Sequence, residues 1–324
     1  MASVGGSKIS PAVQPKPEDY GYDLDRALAS VVSLHALVPA DAFTAETLGT
    51  ERGGNAVVIR ENVALTIGYL IMEAETIWLT PNEGKPVPGH VLAYDQETGF
   101  GLVQALGKLD LPVLSMGRST ATAVGEQVVV AGAGGRQHSV AARIVAKQEF
   151  AGNWEYVLEE AIFTAPVHPN WGGAALIGPG GDLLGIGSLQ IQQASERAAA
   201  DHLNMIVPID LLAPILDDLL TLGQPNHPPR PWLGIYATEI EGRIVIVGLA
   251  NRGPAERANL HPGDIVLAVA GNEVSELAGL FRRIWSLGHA GIEVPLLIYR
   301  DGRSFEVRVA SGDRNRFLKG PSLH

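Results

Sequence analysis

The chain has 324 residues, a formal net charge of −11, no cysteine, 38 glycines and 21 prolines. The missing cysteines exclude disulfides, thiol catalysis and cysteine-bound metals. The acidic balance argues against sequence-independent nucleic-acid binding, which needs a basic surface. No apolar run approaches the roughly 18–20 residues that span a bilayer. The N-terminal segment lacks the apolar core of a secretory signal, so we expect a cytoplasmic protein, or a periplasmic one if a leader has been removed.

The first two-thirds of the chain predicts two β-barrels. Residues 1–22 are rich in Pro, Gly, Ser and Lys and indicate a flexible arm. Residues 23–222 contain short β-branched runs separated by Gly-rich turns, which favour two barrels in tandem with a boundary near residues 115–120. At the end of this region, "IDLLAPILDDLLTLG" (residues 209–223) has apolar residues at helical spacing and predicts one amphipathic helix that ends at Gly223.

A proline-rich segment then marks a domain boundary. Residues 223–231 contain four prolines and predict a stiff linker. Residues 232–312 alternate strand-like runs with one helical pattern, "SELAGLFRRIWSLG", and predict a third unit of mixed strands. Residues 313–324 form a polar tail. The whole chain is therefore predicted to be mostly β.

Several short motifs together resemble a known family. They are "GGNAVVIRENVALT", "LPVLSMGRSTATAVGEQVVVAGAGG", "GGDLLGIGS", "LNMIVPIDLL" and, most specifically, "GPAERANLHPGDIVLAVAGNEV". In this order they resemble the HtrA family of serine proteases. The resemblance implies a trypsin-like fold of tandem six-stranded β-barrels followed by a PDZ domain.

The resemblance also places three residues at the positions of the catalytic triad. Tyr69 stands where the family has histidine, Gly99 where it has aspartate, and Gly172 where it has serine. Acyl transfer by a triad needs a hydroxyl nucleophile, a base near neutral pKa and a carboxylate that orients this base. We therefore predict a pseudoprotease that is not an enzyme, with Asn170, Trp171 and Gly172 as a vestigial oxyanion loop.

In the third unit the resemblance implies a peptide-binding groove. A PDZ domain binds a C-terminal peptide as an added strand and holds its carboxylate with backbone N–H groups. The predicted peptide-binding residues are Trp232, Leu233, Gly234, Ile235, Leu280, Phe281 and Ile284. The alternative is that the apolar members of this set build the domain core.

We expect the chain to act as an adaptor, scaffold or assembly factor that binds protein or peptide C-termini. It has no predicted cofactor, and its scattered histidines predict no metal site. One alternative is an active serine endopeptidase with an unrecognised site, although neither Ser139 nor Ser188 has an apparent His–Asp pair. Another alternative is that the chain regulates an active paralogue by assembling with it, since the family resemblance implies trimers. We also expect that the chain can form a homo-oligomer.

Overall fold

The computed structural model describes residues 8–193 and 201–320. Strands dominate these residues and form two closed six-stranded barrels and a separate six-stranded sheet. The prediction of a mostly β chain with tandem barrels is therefore confirmed. The expected N-terminal arm (residues 1–22) and polar tail (residues 313–324) lie partly outside the described residues.

The first barrel closes in the order β1-β2-β3-β6-β5-β4. Its strands are β1 (Val31–Leu37), β2 (Glu51–Arg60), β3 (Val63–Ile67), β4 (Thr76–Thr80), β5 (Val87–Tyr94) and β6 (Phe100–Ala105). Two short helices accompany them, α1 (Leu24–Leu28) and α2 (Ala45–Leu48). Leu34, Leu65 and Leu102 are completely shielded from solvent, because alternate side chains of each strand point into the closed barrel.

The second barrel closes in the order β10-β11-β12-β9-β8-β7. Its strands are β7 (Gln127–Ala131), β8 (Ser139–Gly152), β9 (Tyr156–Ala165), β10 (Ala175–Ile177), β11 (Leu183–Gln193) and β12 (Asp201–Pro208). Its core includes Val128, Val130, Ile162 and Leu176. The strands β8 and β9 are neighbours in the barrel and are joined at the turn around residues 153–155.

The helix predicted over residues 209–223 is shorter than expected. A single 3₁₀ turn at Ile209–Leu211 precedes the helix α3 (Leu216–Leu222), and Gly223 ends it in the left-handed conformation with φ of 73°. Pro214 lies between the two pieces. Because proline lacks an N–H and its ring clashes with the preceding turn, it breaks the helical pattern that the apolar spacing predicted.

The chain divides into two compact units whose boundaries do not follow the sequence strictly. The first unit holds both barrels and continues to residue 226. The second combines residues 227–319 with residues 149–159, which form the tip of the β8–β9 hairpin. We call residues 149–159 the hairpin tip below.

The second unit is an antiparallel sheet with one longer helix. The strands are β13 (Ile235–Ile240), β14 (Arg243–Leu249), β15 (Ile265–Val269), β16 (Asn272–Glu273), β17 (Glu293–Arg300) and β18 (Arg303–Ala310), and the helices are α4 (Pro254–Arg257) and α5 (Leu277–Trp285). The order is β13-β14-β15-β17-β18, with β16 beside β15. In the described sheet β13 is therefore an edge strand.

The described part of the expected arm, residues 8–22, packs on the first unit. Ile9 is buried in the core of the second barrel, and its N–H donates to the carbonyl of Gln137 at 2.9 Å. Tyr22 lies against Gly181 so closely that a Cβ there would be 2.6 Å from the ring. These contacts place Ile9 and Tyr22 against the first unit, and the flexibility of the arm stays a prediction.

Candidate functional site

A cleft of about 580 Å³ lies in the first unit, lined by residues of both barrels. Asn55 and Tyr69 come from the first barrel, and the loop of residues 169–172 comes from the second. This loop is the segment that we predicted to be a vestigial oxyanion loop. The predicted residues Tyr69, Asn170, Trp171 and Gly172 therefore meet in one cleft.

His168 fixes the start of this loop. Its side chain is 1% exposed, and Nδ1 accepts the N–H of Asn170 at 3.0 Å. The other ring nitrogen, Nε2, lies 2.8 Å from the carbonyl oxygen of His138 and therefore carries the proton in the neutral ring. Burial lowers the pKa of His168, so the imidazole stays neutral near pH 7. His168 is a packing residue that holds the loop.

Asn55 ties the same loop to both barrels. Its backbone N–H donates to the carbonyl of Gly172 at 2.9 Å, and its Nδ2 donates to the carbonyl of Asn170 at 2.9 Å. Its Oδ1 accepts the N–H of Ala133 at 2.9 Å. Sequence reasoning missed this residue. The available signal was a polar side chain at the start of the apolar run "NAVVI".

Tyr69 and Gly172 are direct neighbours. The Tyr69 hydroxyl donates to the carbonyl of Ser188 at 2.8 Å, and a Cβ built on Gly172 would lie 2.8 Å from this hydroxyl oxygen. Burial raises the pKa of the Tyr69 phenol far above its usual range, so the phenol remains protonated at neutral pH. Gly99 lies next to this position, because its carbonyl accepts the N–H of Gly68 at 2.7 Å.

Three other polar side chains of the first unit, those of Asp95, Ser139 and Ser188, have structural surroundings. Asp95 accepts hydrogen bonds from the backbone N–H and the hydroxyl of Thr98 at 2.8 and 2.6 Å, which closes the turn before β6. The Ser139 hydroxyl donates to the carbonyl of Gly135 at 2.9 Å, and Ser188 is 4% exposed within β11. In residues 8–193 and 201–320 no group of three His, Cys, Asp or Glu side chains is placed to hold a metal ion.

A second candidate site lies in the second unit, where backbone N–H groups surround a carboxylate. Oε1 of Glu155 accepts the N–H of Leu233 at 3.2 Å, of Gly234 at 2.7 Å and of Ile235 at 3.0 Å, and Oε2 accepts that of Leu233 at 3.0 Å. We call the three N–H groups of residues 233–235 the nest. Gly234 has φ of 76°, a left-handed conformation that aims successive N–H groups at one point.

Burial dominates the electrostatics of Glu155. The residue is 6% exposed, and its burial raises the pKa of the carboxyl to about 7. The hydrogen bonds from the nest and the positive charge of Arg314 lower the pKa and offset part of this effect. The loss of hydration of the carboxylate therefore outweighs the favourable N–H dipoles.

The predicted peptide-binding residues contribute in two ways, some through backbone groups and others through side chains in the core. The backbone of Leu233, Gly234 and Ile235 forms the nest. Trp232 exchanges hydrogen bonds with Gly312 and packs edge-on against Phe317 with ring centres 4.8 Å apart. The side chains of the apolar members are buried in the hydrophobic core of the unit, and they are Leu233, Ile235, Leu280, Phe281 and Ile284. For these side chains the structure favours the core alternative.

Family models match the two units in turn. A model described as "Trypsin-like peptidase domain" matches residues 54–186, and one described as "PDZ domain" matches residues 231–310. The chain has an HtrA/DegP-like trypsin-like peptidase domain followed by a PDZ domain. The resemblance drawn from the motifs is thereby confirmed.

Curated proteins and solved structures extend this similarity. A protein of Hahella chejuensis named "Probable periplasmic serine endoprotease DegP-like" is 26% identical over 277 residues, covering 80% of this chain and 56% of the relative. "Serine protease Do-like HtrA" of Lactobacillus helveticus is 22% identical over 287 residues, covering 79% and 67%. The structure titled "HtrA-type protease AlgW with decapeptide" shares the fold, with 20% identity, a TM-score of 0.53 and coverage of 92% and 98%.

These relatives correct two predictions. The prediction that the HtrA-like chain is not an enzyme is contradicted, because the proteins that it matches are named serine endoproteases. The prediction of a cytoplasmic location is also contradicted, because the Hahella chejuensis protein and further relatives that the chain matches are named periplasmic. The chain spans little more than half of the length of the first of these relatives. Among its described residues no helix is long and apolar enough to cross a bilayer.

Proposed function

We propose that this HtrA-like chain is an adaptor or scaffold that captures polypeptide C-termini in its PDZ domain. The observation that carries this proposal is the nest, in which three consecutive N–H groups converge on a carboxylate. A C-terminal carboxylate has the same two oxygens as the Glu155 side chain. It would accept the same hydrogen bonds.

The edge strand β13 supports the capture of an extended chain. Its neighbour within the described sheet is β14, and no strand of that sheet pairs with its outer edge. The Ala237 N–H already points to this edge, where it donates to the carbonyl of Asn153 at 3.0 Å. A peptide running from the nest along β13 would gain main-chain hydrogen bonds there, as in strand addition.

Peptide capture by the PDZ domain goes with a proposed division of the chain into domains. We propose a trypsin-like domain over residues 23–222, a linker over residues 223–231 and the PDZ domain over residues 232–312. The hairpin tip completes this last domain, since Val157 belongs to its hydrophobic core. The names of the relatives support a periplasmic location, which fractionation of the native host would test.

A second candidate function is cleavage of the captured polypeptide. It is favoured by the names of the relatives and by the cleft that both barrels line. Positions 69, 99 and 172 hold a phenol and two glycines. Turnover would therefore use a nucleophile elsewhere, and covalent labelling with a fluorophosphonate followed by peptide mapping would identify it.

Peptide capture is tested with the Glu155→Ala variant of the full chain, in which the side-chain carboxylate that occupies the nest is removed. Fluorescein-labelled decapeptides that end in Val, Leu, Ile, Ala or Phe are titrated by anisotropy, each with a free and with an amidated terminus. We expect binding of free-terminus peptides and at least roughly tenfold weaker binding of amidated ones. Mass spectrometry of the same mixtures reports any cleavage. Equal binding of the free and amidated forms, or no binding, would contradict the proposal.

A further inference from the structure

The nest already holds a ligand from its own chain. Glu155 lies in the turn of the hairpin tip, with φ of 62°. Its carboxylate occupies the place at the nest where a peptide terminus would lie. It comes from the turn between β8 and β9, distant in sequence from the nest. The site thus accepts an internal side-chain carboxylate in addition to any chain terminus.

The hairpin tip also bonds to the outer edge of β13. The carbonyl of Asn153 accepts the N–H of Ala237 at 3.0 Å. A bound peptide would need this N–H for strand addition. The tip and a peptide therefore compete for the same main-chain group as well as for the nest.

Apolar contacts seat the tip further. Val157 is 8% exposed and belongs to the hydrophobic core of the PDZ domain, and Ala151 packs against this core. The rings of Trp154 and Tyr156 stack with centres 5.5 Å apart on either side of Glu155 in sequence. Such stacking stiffens the turn, so less conformational freedom is lost when the carboxylate docks.

Helix α5 holds both arms of the tip. Arg282 forms ion pairs with Glu149 on one arm and with Glu159 on the other, the second at 2.7 Å. The three side chains are exposed to solvent, Glu159 most of all, so each pair contributes modestly. Together with β13 and the nest, α5 gives the tip three separate attachments within the second unit.

We propose that the hairpin tip, residues 149–159, is the resident ligand of the PDZ groove and that a C-terminal peptide binds by displacing it. This inference rests on the peptide capture proposed above. Because the tip is tethered, its effective concentration at the nest is high. The apparent dissociation constant of a peptide equals its intrinsic value divided by the fraction of molecules with a vacant groove.

The experiment compares the full chain with Glu155→Ala and with the control Glu273→Ala, which alters an exposed glutamate on β16. The same fluorescein-labelled decapeptides serve as probes. We expect Glu155→Ala to bind them roughly tenfold or more tightly than the unaltered chain. Glu273→Ala should bind them like the unaltered chain. Should Glu155→Ala fail to fold, Arg282→Glu repels both arms of the tip from α5 and should tighten binding in the same direction.

Hydrogen–deuterium exchange gives a second readout that needs no peptide. Amides of residues 233–237 should exchange faster in Glu155→Ala than in the other two proteins. Adding peptide to the unaltered chain should speed exchange in residues 149–159. Equal peptide affinity of the unaltered chain and Glu155→Ala, with no change of exchange in the tip, would overturn displacement and leave peptide capture standing. Absence of binding to all variants would overturn peptide capture itself.

Discussion

The hydroxyl oxygen of Tyr69 lies 2.8 Å from the carbonyl oxygen of Ser188, to which it donates a hydrogen bond. Tyr69 follows β3 of the first barrel, and Ser188 lies in β11 of the second. One phenol therefore connects the two barrels at the position where the family resemblance places a histidine.

Replacing Tyr69 with phenylalanine should destabilise the chain. The change removes the hydroxyl that donates to the Ser188 carbonyl, and it should lower the free energy of unfolding by about 0.5–1.5 kcal/mol. Thermal unfolding of the first unit should shift down by about 2–4 °C. Tyr299→Phe is the control, since Tyr299 is 38% exposed on the second unit. An unchanged melting temperature for Tyr69→Phe would show that the bond contributes no net stability.

A side chain at position 172 should conflict with Tyr69. Gly172→Ala places a Cβ 2.8 Å from the phenol oxygen, whereas the next ring atom is 3.7 Å away. We expect Gly172→Ala to cost about 1–3 kcal/mol through overpacking. In the double variant with Tyr69→Phe, the loss should be smaller than the sum of the two single losses. Denaturant unfolding of the four proteins measures this coupling, and strict additivity would refute the conflict.

Gly234 should be essential for the nest. In Gly234→Ala the new Cβ would lie 3.1 Å from the Cβ of Ala250 and 3.1 Å from the ring of Trp232. The change would also strain the backbone, because this residue has φ of 76°. Gly242 is a matched control, because its φ is 70° and a Cβ there meets nothing within 4 Å. Both changes share the backbone strain of about 1 kcal/mol. Gly234→Ala should in addition weaken peptide binding roughly tenfold, as measured by anisotropy. Equal affinities of the two variants would contradict this role.

Peptide binding by the unaltered chain should strengthen as the pH rises. The pKa of the Glu155 carboxyl is about 7 when docked, against 4.5 for the free group. Since docking raises this pKa, the docked state of the tip is favoured most below about pH 4.5. Its free energy advantage over the undocked state decreases as the pH rises from about 4.5 to about 7. A peptide terminus, with a pKa near 3.5, stays ionised throughout this window.

Anisotropy titrations between about pH 5 and about pH 7.5 measure this dependence, which should reach at most about tenfold per pH unit. Arg314 is the charged group that opposes the raised pKa, and Arg282, Glu149 and Glu159 face each other at the arms of the tip. Glu155→Gln should remove the dependence, because its amide does not titrate. A pH profile shared by both proteins would assign the dependence to another group.

The sequence predicted those parts of the fold that repeat a local pattern. Short β-branched runs predicted both barrels, and the stretch "GPAERANLHPGDIVLAVAGNEV" predicted the third unit. The family resemblance also assigns Leu233, Gly234 and Ile235 to a peptide-binding groove. The barrel prediction depends on propensity and turn chemistry of residues close together in the chain, whereas the other two inferences depend on the resemblance that short local motifs carry.

The sequence did not predict the contacts that join distant segments. Glu155 lies 78 residues before Leu233 in the chain, and nothing in "NWEYV" indicates that its carboxylate meets the nest. Asn55 lies 115 residues before the carbonyl of Asn170 that it binds. The side chains of Leu280, Phe281 and Ile284 illustrate a further ambiguity, because an apolar helix face that suits a groove also suits a core.

The division of the second unit between two separate stretches of the chain sets an order for its folding. During synthesis Glu155 leaves the ribosome 78 residues before the first N–H that it will bind. Domains emerge from their N-terminal side, and contacts between distant residues form late. The hairpin tip is thus translated before its partners exist, and Val157 stays accessible to solvent or chaperones until the core that buries it, which extends to Val309, has been made. Completion of the PDZ domain is the step that covers Val157.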